Sequence, residues 1–262
     1  MTEYPERQVS RSAGWSRRVG AFSLVLLLTG WTGHHFGLTE TPAFLWVLAL
    51  AALLAALALL LAGLAFSRLW KFGDEGGRDL TVGALLAALV LVPYGFVAWR
   101  VATLPALHDI STDQDAPPAF DVSARMAGMN VPVPPTPGEI RLQGQAYPLV
   151  TGHRYDLPLD EALDAVETVV KGQGWQVIGP LPAADDGQDE VTITALARSF
   201  VLDLPVDVAV RVAADENSTL VDMRSASRYG RHDLGDNAAR IVAFFDALDR
   251  EVAGRTGTAP DQ

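Results

Sequence analysis

One short segment of the chain concentrates side chains that could bind a metal ion or move a proton. This strap, residues 104–120, reads LPALHDISTDQDAPPAF, and its candidate residues are His108, Asp109, Asp113 and Asp115. Hard cations bind several carboxylate oxygens, and a histidine beside them suits a transition metal. With Asp233 added from later in the chain, the strap predicts a metal or acid–base site.

The strap carboxylates could instead have a purely structural role, and their spacing favours that role over metal binding. The acids at 109, 113 and 115 lack the central glycine and the distal glutamate of an EF-hand calcium loop. Aspartate and serine side chains also accept hydrogen bonds from nearby backbone N–H groups. Asp109, Ser111 and Asp113 would then fix an extended strap that docks the C-terminal domain onto the segment before it.

A second group of polar residues lies between positions 222 and 240. Because side chains alternate along a strand, Asp222, Arg224 and Arg228 are predicted to share one face. Two arginines on one face can bind carboxylates at two points each. Their partners are either the strap carboxylates, which gives an internal ion-pair network, or an anionic ligand. The candidate residues of this site or clasp are Arg224, Ser227, Arg228, Asp233, Asn237 and Arg240.

These residues must be positioned by a domain whose pattern is helix, four strands, helix. Apolar residues at helical spacing predict one helix from Pro158 to Gly172 and another over 237–252, with Asp236 as its N-cap. Alternation predicts four strands, at 175–178, 191–199, 206–212 and 219–228. We therefore predict a small α+β domain over residues 158–253, an antiparallel meander with both helices packed on one face.

The other segments of this half are predicted to be irregular. Residues 104–157 read as a strap and linker, with a short helix over 119–129 and an extended proline-rich stretch over 131–138. An acidic loop is expected at 183–189 and a disordered tail at 254–262.

Three apolar segments dominate the N-terminal half, at residues 19–38, 43–65 and 80–102. The second would reach about 34 Å as a helix, which is enough to cross the hydrocarbon core of a membrane. We predict a three-helix transmembrane anchor over residues 19–103, behind a cytoplasmic tail, residues 1–18. A cleaved signal peptide is the alternative for the first segment.

Charged residues predict the orientation and limit the partners. The N-terminal tail and the loop after the second segment carry arginine and lysine, so the positive-inside rule places both in the cytoplasm. Residues 104–262 then lie outside it, held at the inner membrane by several spans. They include twelve basic and twenty-five acidic residues, which argues against nucleic acid or anionic lipid as a partner. The chain has no cysteine, which excludes disulfides and thiolate sites.

Two stretches resemble a known family. HDISTDQDAPPAF, at 108–120, looks like the opening signature of the family called domain of unknown function 1499, and SRYGRHDLGDNAARI, at 227–241, is similar to its closing signature. The resemblance implies a bacterial envelope protein with an anchor of three spans and no assigned activity. His232 departs from the family pattern, in which a small residue precedes Asp-Leu-Gly.

Together these patterns predict a membrane-anchored envelope domain that binds a partner protein or an envelope ligand, such as an anionic small molecule, without catalysis. The alternative is a metal-dependent hydrolase-like enzyme that uses His108 and the neighbouring carboxylates. No catalytic residue is assigned and no cofactor is predicted, although a divalent metal ion is compatible with the strap. An enzyme would gather His108 and two or more carboxylates around a cleft, whereas a clasp would bond them to backbone or to arginines.

Overall fold

The computed structural model describes residues 8–121, 128–180, 189–215 and 218–257. The chain divides into two compact units, Met1–Trp99 and Arg100–Gln262. The predicted short helix at 119–129, the predicted acidic loop at 183–189 and residues 258–262 of the predicted tail lie largely or wholly outside the described residues.

Three helices make up the first unit: α1 (Arg11–His35), α2 (Thr41–Phe72) and α3 (Gly77–Thr103), whose last turn belongs to the second unit. Among the described residues, α2 and α3 are the helices long and apolar enough to cross a membrane. Of the three predicted spans, two therefore coincide with helices of the length and composition that a span requires. The first turns of α1 carry Arg11, Arg17 and Arg18, which interrupt its apolar character, and the predicted tail is helical from Arg11 onward.

The three helices approach one another through small residues. Before α1, the backbone N–H of Ser10 donates to the carbonyl oxygen of Glu75 at 2.8 Å, which holds the start of α1 beside the α2–α3 loop. A side chain at Gly83 of α3 would collide with the hydroxyl of Ser16. That hydroxyl donates to the carbonyl oxygen of Ala58 in α2 at 2.8 Å. Close packing through small residues is typical of helices in membranes.

The second unit contains an antiparallel sheet. Its described strands are β1 (Asp109–Ser111), β2 (His153–Tyr155), β3 (Gln176–Val177), β4 (Glu190–Arg198), β5 (Pro205–Asp215) and β6 (Ser218–Ser227). They lie in the order β1-β6-β5-β4-β3, and β2 pairs with β6 on the same edge as β1. The run from β3 to β6 confirms the predicted antiparallel meander.

The helices described beside the sheet are α4 (Pro137–Ala146), α5 (Leu159–Gly172) and α6 (Asp236–Thr256). As predicted, α5 and α6 pack on one face of the sheet, where alternate strand residues meet their apolar sides in a single core. Each large side chain buried there contributes about 1.5–3 kcal/mol relative to exposure. Fully buried examples are Ile110, Val166, Ile193, Val208, Met223, Ile241, Phe244 and Leu248.

The opposite face of the sheet is polar. Because alternate residues point to the same side of a strand, β5 and β6 present one set of charged residues there. The register places Arg211 directly opposite Asp222. This polar face consists of Asp207, Arg211, Asp222, Arg224 and Arg228.

Several predicted boundaries are corrected by the structure. β1, β2 and α4 form within residues 104–157, which were predicted to be irregular. The two strands escape prediction because three residues are too few to show an alternating pattern. α4 starts at Pro137, so the extended stretch ends at Thr136, two residues earlier than predicted. α6 runs to Thr256, so residues 254–256 are helical and not disordered, and its N-cap is Gly235 instead of Asp236.

Candidate functional site

Arg224 forms an ion pair at the centre of the polar face. Its Nε and Nη2 atoms lie 2.9 and 2.7 Å from the two carboxylate oxygens of Asp109 in β1. Its Nη1 atom donates to the carbonyl oxygen of Pro118 at 3.3 Å, and the guanidinium lies 4.6 Å from the ring centre of Phe120. Two-point arginine–carboxylate pairs and arginine–aromatic contacts are both favourable. Arg224 therefore binds three separate points of the strap.

Arg211 joins the strap to the sheet a second time. Its Nη2 atom lies 2.7 Å from a carboxylate oxygen of Asp113 and 2.8 Å from one of Asp222. Its Nη1 atom donates to the carbonyl oxygen of Ala116 at 2.9 Å. Asp222 also accepts a hydrogen bond from the hydroxyl of Thr112 at 2.8 Å. One arginine and two aspartates thus hold the strap on β5 and β6.

The carboxylate of Asp113 is held in its ionised form. Burial by itself raises its pKa, but the backbone N–H of Ala116, the guanidinium of Arg211 and the backbone N–H of Asp115 together lower the pKa below its usual value. Both N–H groups donate to the same oxygen, at 2.9 and 3.0 Å. A carboxylate with a lowered pKa is a poor proton donor or acceptor at neutral pH.

A third arginine forms an ion pair at the end of β6. The Nε and Nη2 atoms of Arg228 are 2.8 and 2.7 Å from Oδ1 of Asp207, and both residues are buried. The backbone N–H of Asn130 donates to the carbonyl oxygen of Arg228 at 2.7 Å. The side-chain amide of Asn130 donates to the carbonyl oxygens of Ser227 and Gly230 at 2.8 and 2.6 Å. These bonds tie the chain around residue 130 to the end of β6.

At Ser111, the free edge of β1 bonds to a side chain where a further strand could have paired. Gln143 of α4 donates to the carbonyl oxygen of Ser111 at 2.7 Å and accepts from its N–H at 3.4 Å. A side-chain amide offers the same donor and acceptor as the backbone, so it imitates a neighbouring strand. α4 is fixed in turn by a capping box, in which Thr136 and Glu139 bond to each other's backbone N–H groups.

A narrow cleft lies between the strap, the proline-rich stretch and α4. Its volume of about 30 Å³ corresponds to about two water molecules. The pKa of Glu139 on its wall is lowered, chiefly by the backbone N–H and hydroxyl of Thr136 and also by the nearby His108. The cleft can admit a small polar group, such as an amide. Polar residues that line it are His108, Asp109, Ser111, Gln114, Glu139, Gln143 and Arg224.

The end of β6 and the start of α6 both donate hydrogen bonds to the backbone of the strap at His108. Its carbonyl oxygen accepts hydrogen bonds from the side-chain amide of Asn237 at 3.0 Å and from the N–H of Ser227 at 2.8 Å. The amide oxygen of Asn237 accepts from the hydroxyl of Ser225 at 2.9 Å and from Arg240 at 3.0 Å. Asn237 is fully buried, so these bonds replace all its contacts with water.

Asp233 organises the turn that leads into α6. Its two carboxylate oxygens accept hydrogen bonds from the N–H groups of Gly235 and Asn237, each at 2.9 Å. Its own N–H donates to the carbonyl oxygen of Leu107 at 2.8 Å. Burial is the main influence on its carboxyl group and raises its pKa, while the two N–H bonds oppose the rise. The side chain therefore acts as a helix cap.

His232 is bonded to backbone through both ring nitrogens. Nδ1 accepts from the N–H of Leu234 at 2.9 Å, so Nε2 must carry the hydrogen that lies toward the carbonyl oxygen of Leu104 at 3.1 Å. This assignment of the tautomer follows from the hydrogen-bond pattern. The imidazole thus fastens the first residue after α3 to the turn after β6.

The predicted site residues fall into two groups on opposite sides of the sheet. On the polar face lie Asp109, Asp113, Arg224 and Arg228, and on the core side lie Ser227, Asp233, Asn237 and Arg240. His108 lines the cleft with its side chain and bonds to the second group through its carbonyl oxygen. The side chain of Asp115 is exposed. Asp233 does not join the strap carboxylates, and no group of three or more His, Cys, Asp or Glu side chains in the described part of the chain could hold a metal ion.

Sequence reasoning did not find several residues that build this arrangement: Thr112, Asn130, Gln143, Asp207 and Arg211. Alternation along β5 carried a signal for two of them, because Asp207 and Arg211 share a face with Asp222 once the register is known. The segment Thr-Pro-Gly-Glu at 136–139 matches the capping-box pattern that starts α4. The contact of Gln143 with Ser111 has no sequence signature.

Comparison with known proteins adds a family and one distant structural likeness. The family described as Protein of unknown function (DUF1499) matches residues 109–248. The chain is also similar to the crystal structure of CalU16 from Micromonospora echinospora, with 18% identity over 40% of this chain and 76% of that one, and a TM-score of 0.27. A likeness at that score carries no argument about fold or function. Comparison with curated proteins finds no match.

Proposed function

The chain belongs to the family described as Protein of unknown function (DUF1499), and from its geometry we propose a membrane-anchored envelope domain that recognises a ligand or a partner protein without catalysis. The observation that carries the proposal is how the strap carboxylates are used. Asp109 is bound at two points by Arg224, and Asp113 is bound by Arg211 and by backbone N–H groups. Carboxylates engaged in this way hold a surface in shape and are not poised to transfer protons.

The cleft beside His108 is the recognition site in this proposal. Its volume suits a single functional group that projects from a larger partner. Its walls offer the imidazole of His108 together with the amides of Gln114 and Gln143, which suits a polar group. The ion pairs of the polar face would keep the cleft preformed, which reduces the entropy lost on binding.

The proposal includes an anchor of three spans with the C-terminal domain outside the cytoplasm. The pairing of Arg17 with Asp79 at 2.9 Å joins the start of α1 to the start of α3, so the basic residues of both gather at one end of the first unit. The positive-inside rule assigns such an end to the cytoplasm. An alkaline phosphatase fused after Gln262 should then be active, and an inactive fusion in a stable chain would reverse the orientation.

Site-specific photocrosslinking tests the recognition site. A photoreactive residue at Gln114, on the wall of the cleft, should give a discrete adduct in bacterial membranes, and His108→Ala should abolish that adduct. The same photoreactive residue at Ala214, an exposed position at the far end of β5, is the matched control. An adduct that survives His108→Ala, or equal adducts at both positions, would contradict the proposed site.

The alternative of a metal-dependent hydrolase needs His108 and at least two carboxylates to share one ion. Elemental analysis of the purified full chain separates the two functions. Stoichiometric divalent metal that is lost in His108→Ala and Asp109→Asn would favour the enzyme. A metal-free chain whose variants differ only in stability would favour the binding domain.

A further inference from the structure

Phe200 and Leu149 are the two most exposed large apolar side chains among the described residues of the second unit. Phe200, at the tip of the β4–β5 hairpin, is 86% exposed. Leu149, in the loop between α4 and β2, is 74% exposed and borders an apolar groove of about 430 Å³ along the first turns of α6. Among the described residues that line this groove, Asp246 is the charged one. Single exposed apolar residues are ordinary, but a cluster of them marks a contact surface.

The turn before α6, at Gly235 and Asp236, contacts the hairpin tip, Leu104 and the groove. The carboxylate of Asp236 accepts a hydrogen bond from the N–H of Phe200 at 2.7 Å. The preceding residue, Gly235, has φ of 78° and approaches Leu104 so closely that a Cβ would lie 2.8 Å from the Leu104 Cδ1 atom. Gly235 also lines the groove beside Leu149. The hairpin tip and the groove therefore flank the point at which the chain enters the domain.

We propose that the hairpin tip and the Leu149 loop contact the surface of the membrane that holds the anchor. Leu104 directly follows Thr103, the last residue of α3, and its N–H still bonds to the carbonyl oxygen of Arg100 at 2.9 Å. α3 is long and apolar enough to cross a membrane. A span that ends at Thr103 leaves Leu104 at the lipid–water interface, since each residue advances the chain by only about 3.5 Å.

The occupant is the apolar and interfacial zone of the bilayer, not a charged headgroup. The C-terminal part has twelve basic and twenty-five acidic residues, so anionic lipids would repel it. The tip itself presents the exposed ring of Phe200, with Val201 and Leu202 half-buried beside it, and this favours shallow apolar insertion. Contact of this kind depends little on salt, because screening acts on charges and not on apolar burial.

This inference rests on the proposed anchor, and one experiment separates the two. Because the chain has no cysteine, Phe200→Cys and Leu149→Cys each provide a single attachment point for a nitroxide label. Ala214→Cys is the matched control, exposed on the same hairpin but about 30 Å along β5 from the tip. The full chain, one copy per phosphatidylcholine nanodisc, is examined by electron paramagnetic resonance with oxygen and a water-soluble nickel complex.

We expect labels at 200 and 149 to collide with oxygen several-fold more than with the nickel complex, and the label at 214 to show the reverse. High salt should leave both ratios unchanged. Equal accessibility to nickel at 200 and 214 in a chain that stays in the nanodisc would overturn the membrane contact alone. Protection at 200 from both reagents would mean that the tip is buried against this chain and would also overturn it. Extraction of the chain from membranes by carbonate would overturn the anchor.

Discussion

The side-chain amide of Asn237, on the first turn of α6, donates a hydrogen bond to the backbone carbonyl oxygen of His108, 3.0 Å away. The two residues belong to the two stretches that resemble the family's opening and closing signatures. This bond therefore joins two segments that lie far apart in the sequence. Ser227 donates to the same oxygen from β6. The strap is therefore fastened by its backbone on the core side and by its carboxylates on the polar face.

Replacement of the amide at this junction should be costly. Asn237→Ala leaves the carbonyl oxygen of His108 and the hydroxyl of Ser225 each short of a buried partner, so we expect a loss of about 3 kcal/mol in the free energy of unfolding. Denaturant titration of the full chain in detergent measures it. Gln173→Ala, which removes an exposed amide, should stay within about 0.5 kcal/mol of the unaltered chain. Equal effects of the two changes would contradict the assigned role.

The pair of Asp109 and Arg224 should behave as one unit. Arg224→Gln leaves a partly buried carboxylate without its counter-charge, which costs about 3 kcal/mol. Adding Asp109→Asn removes that stranded charge, so the double variant should be more stable than the sum of the single losses predicts. A double-mutant cycle of unfolding free energies measures the coupling, expected at about 1–3 kcal/mol. Additivity within about 0.5 kcal/mol would show that the pair contributes no coupling.

Gln143 should matter far more than its neighbour Gln145. Gln143→Ala removes two hydrogen bonds from Ser111 in β1 and should cost about 2 kcal/mol of stability. Gln145 is exposed on the same helix, so Gln145→Ala removes an amide from the same element without touching β1. Amide hydrogen exchange at Ser111 gives a local reading, and it should accelerate in the first variant alone. Unchanged exchange in Gln143→Ala would show that the side chain does not protect the strand.

The lowered pKa of Asp113 predicts a defined pH dependence. A carboxyl group whose pKa is lower in the folded state contributes stability above its unfolded pKa, and that contribution disappears as the pH falls through the folded pKa. Asp113→Asn should therefore be less stable than the unaltered chain at neutral pH and equal to it in acid. Asp115→Asn, at an exposed position, should retain the unaltered profile. Thermal unfolding between neutral and acidic pH would contradict this account if the two variants gave the same curve.

The core of the fold could be predicted because it depends on patterns that repeat. α5, α6 and the strands from β3 to β6 each carry enough apolar residues to show their period, and the short turns between strands dictate an antiparallel meander. The same alternation placed Asp222, Arg224 and Arg228 on one face. The sequence also carries the Thr136–Glu139 capping box, which is the local signal that marks the start of α4.

The partners within the clasp could not be predicted because they depend on register. Alternation predicts that Arg224 and Arg228 share a face. The pairing of β1 with β6 then brings Asp109 to Arg224. The pairing of β5 with β6 brings Asp207 to Arg228. β1 and β2 are three residues long and leave no period to detect. The association of Asp233 with the strap carboxylates was predicted from residue type alone. In the structure Asp233 caps α6 instead.

Thermal unfolding of the full chain with a chelator and with added divalent metal tests the central claim most directly, because a metal bound by the folded state raises the melting temperature. If arginines and backbone satisfy the strap carboxylates, neither chelator nor zinc, manganese or calcium should shift the melting temperature, while Arg224→Gln lowers it. A rise with one metal that is reversed by chelator and absent in Asp109→Asn would contradict the clasp and establish a metal site.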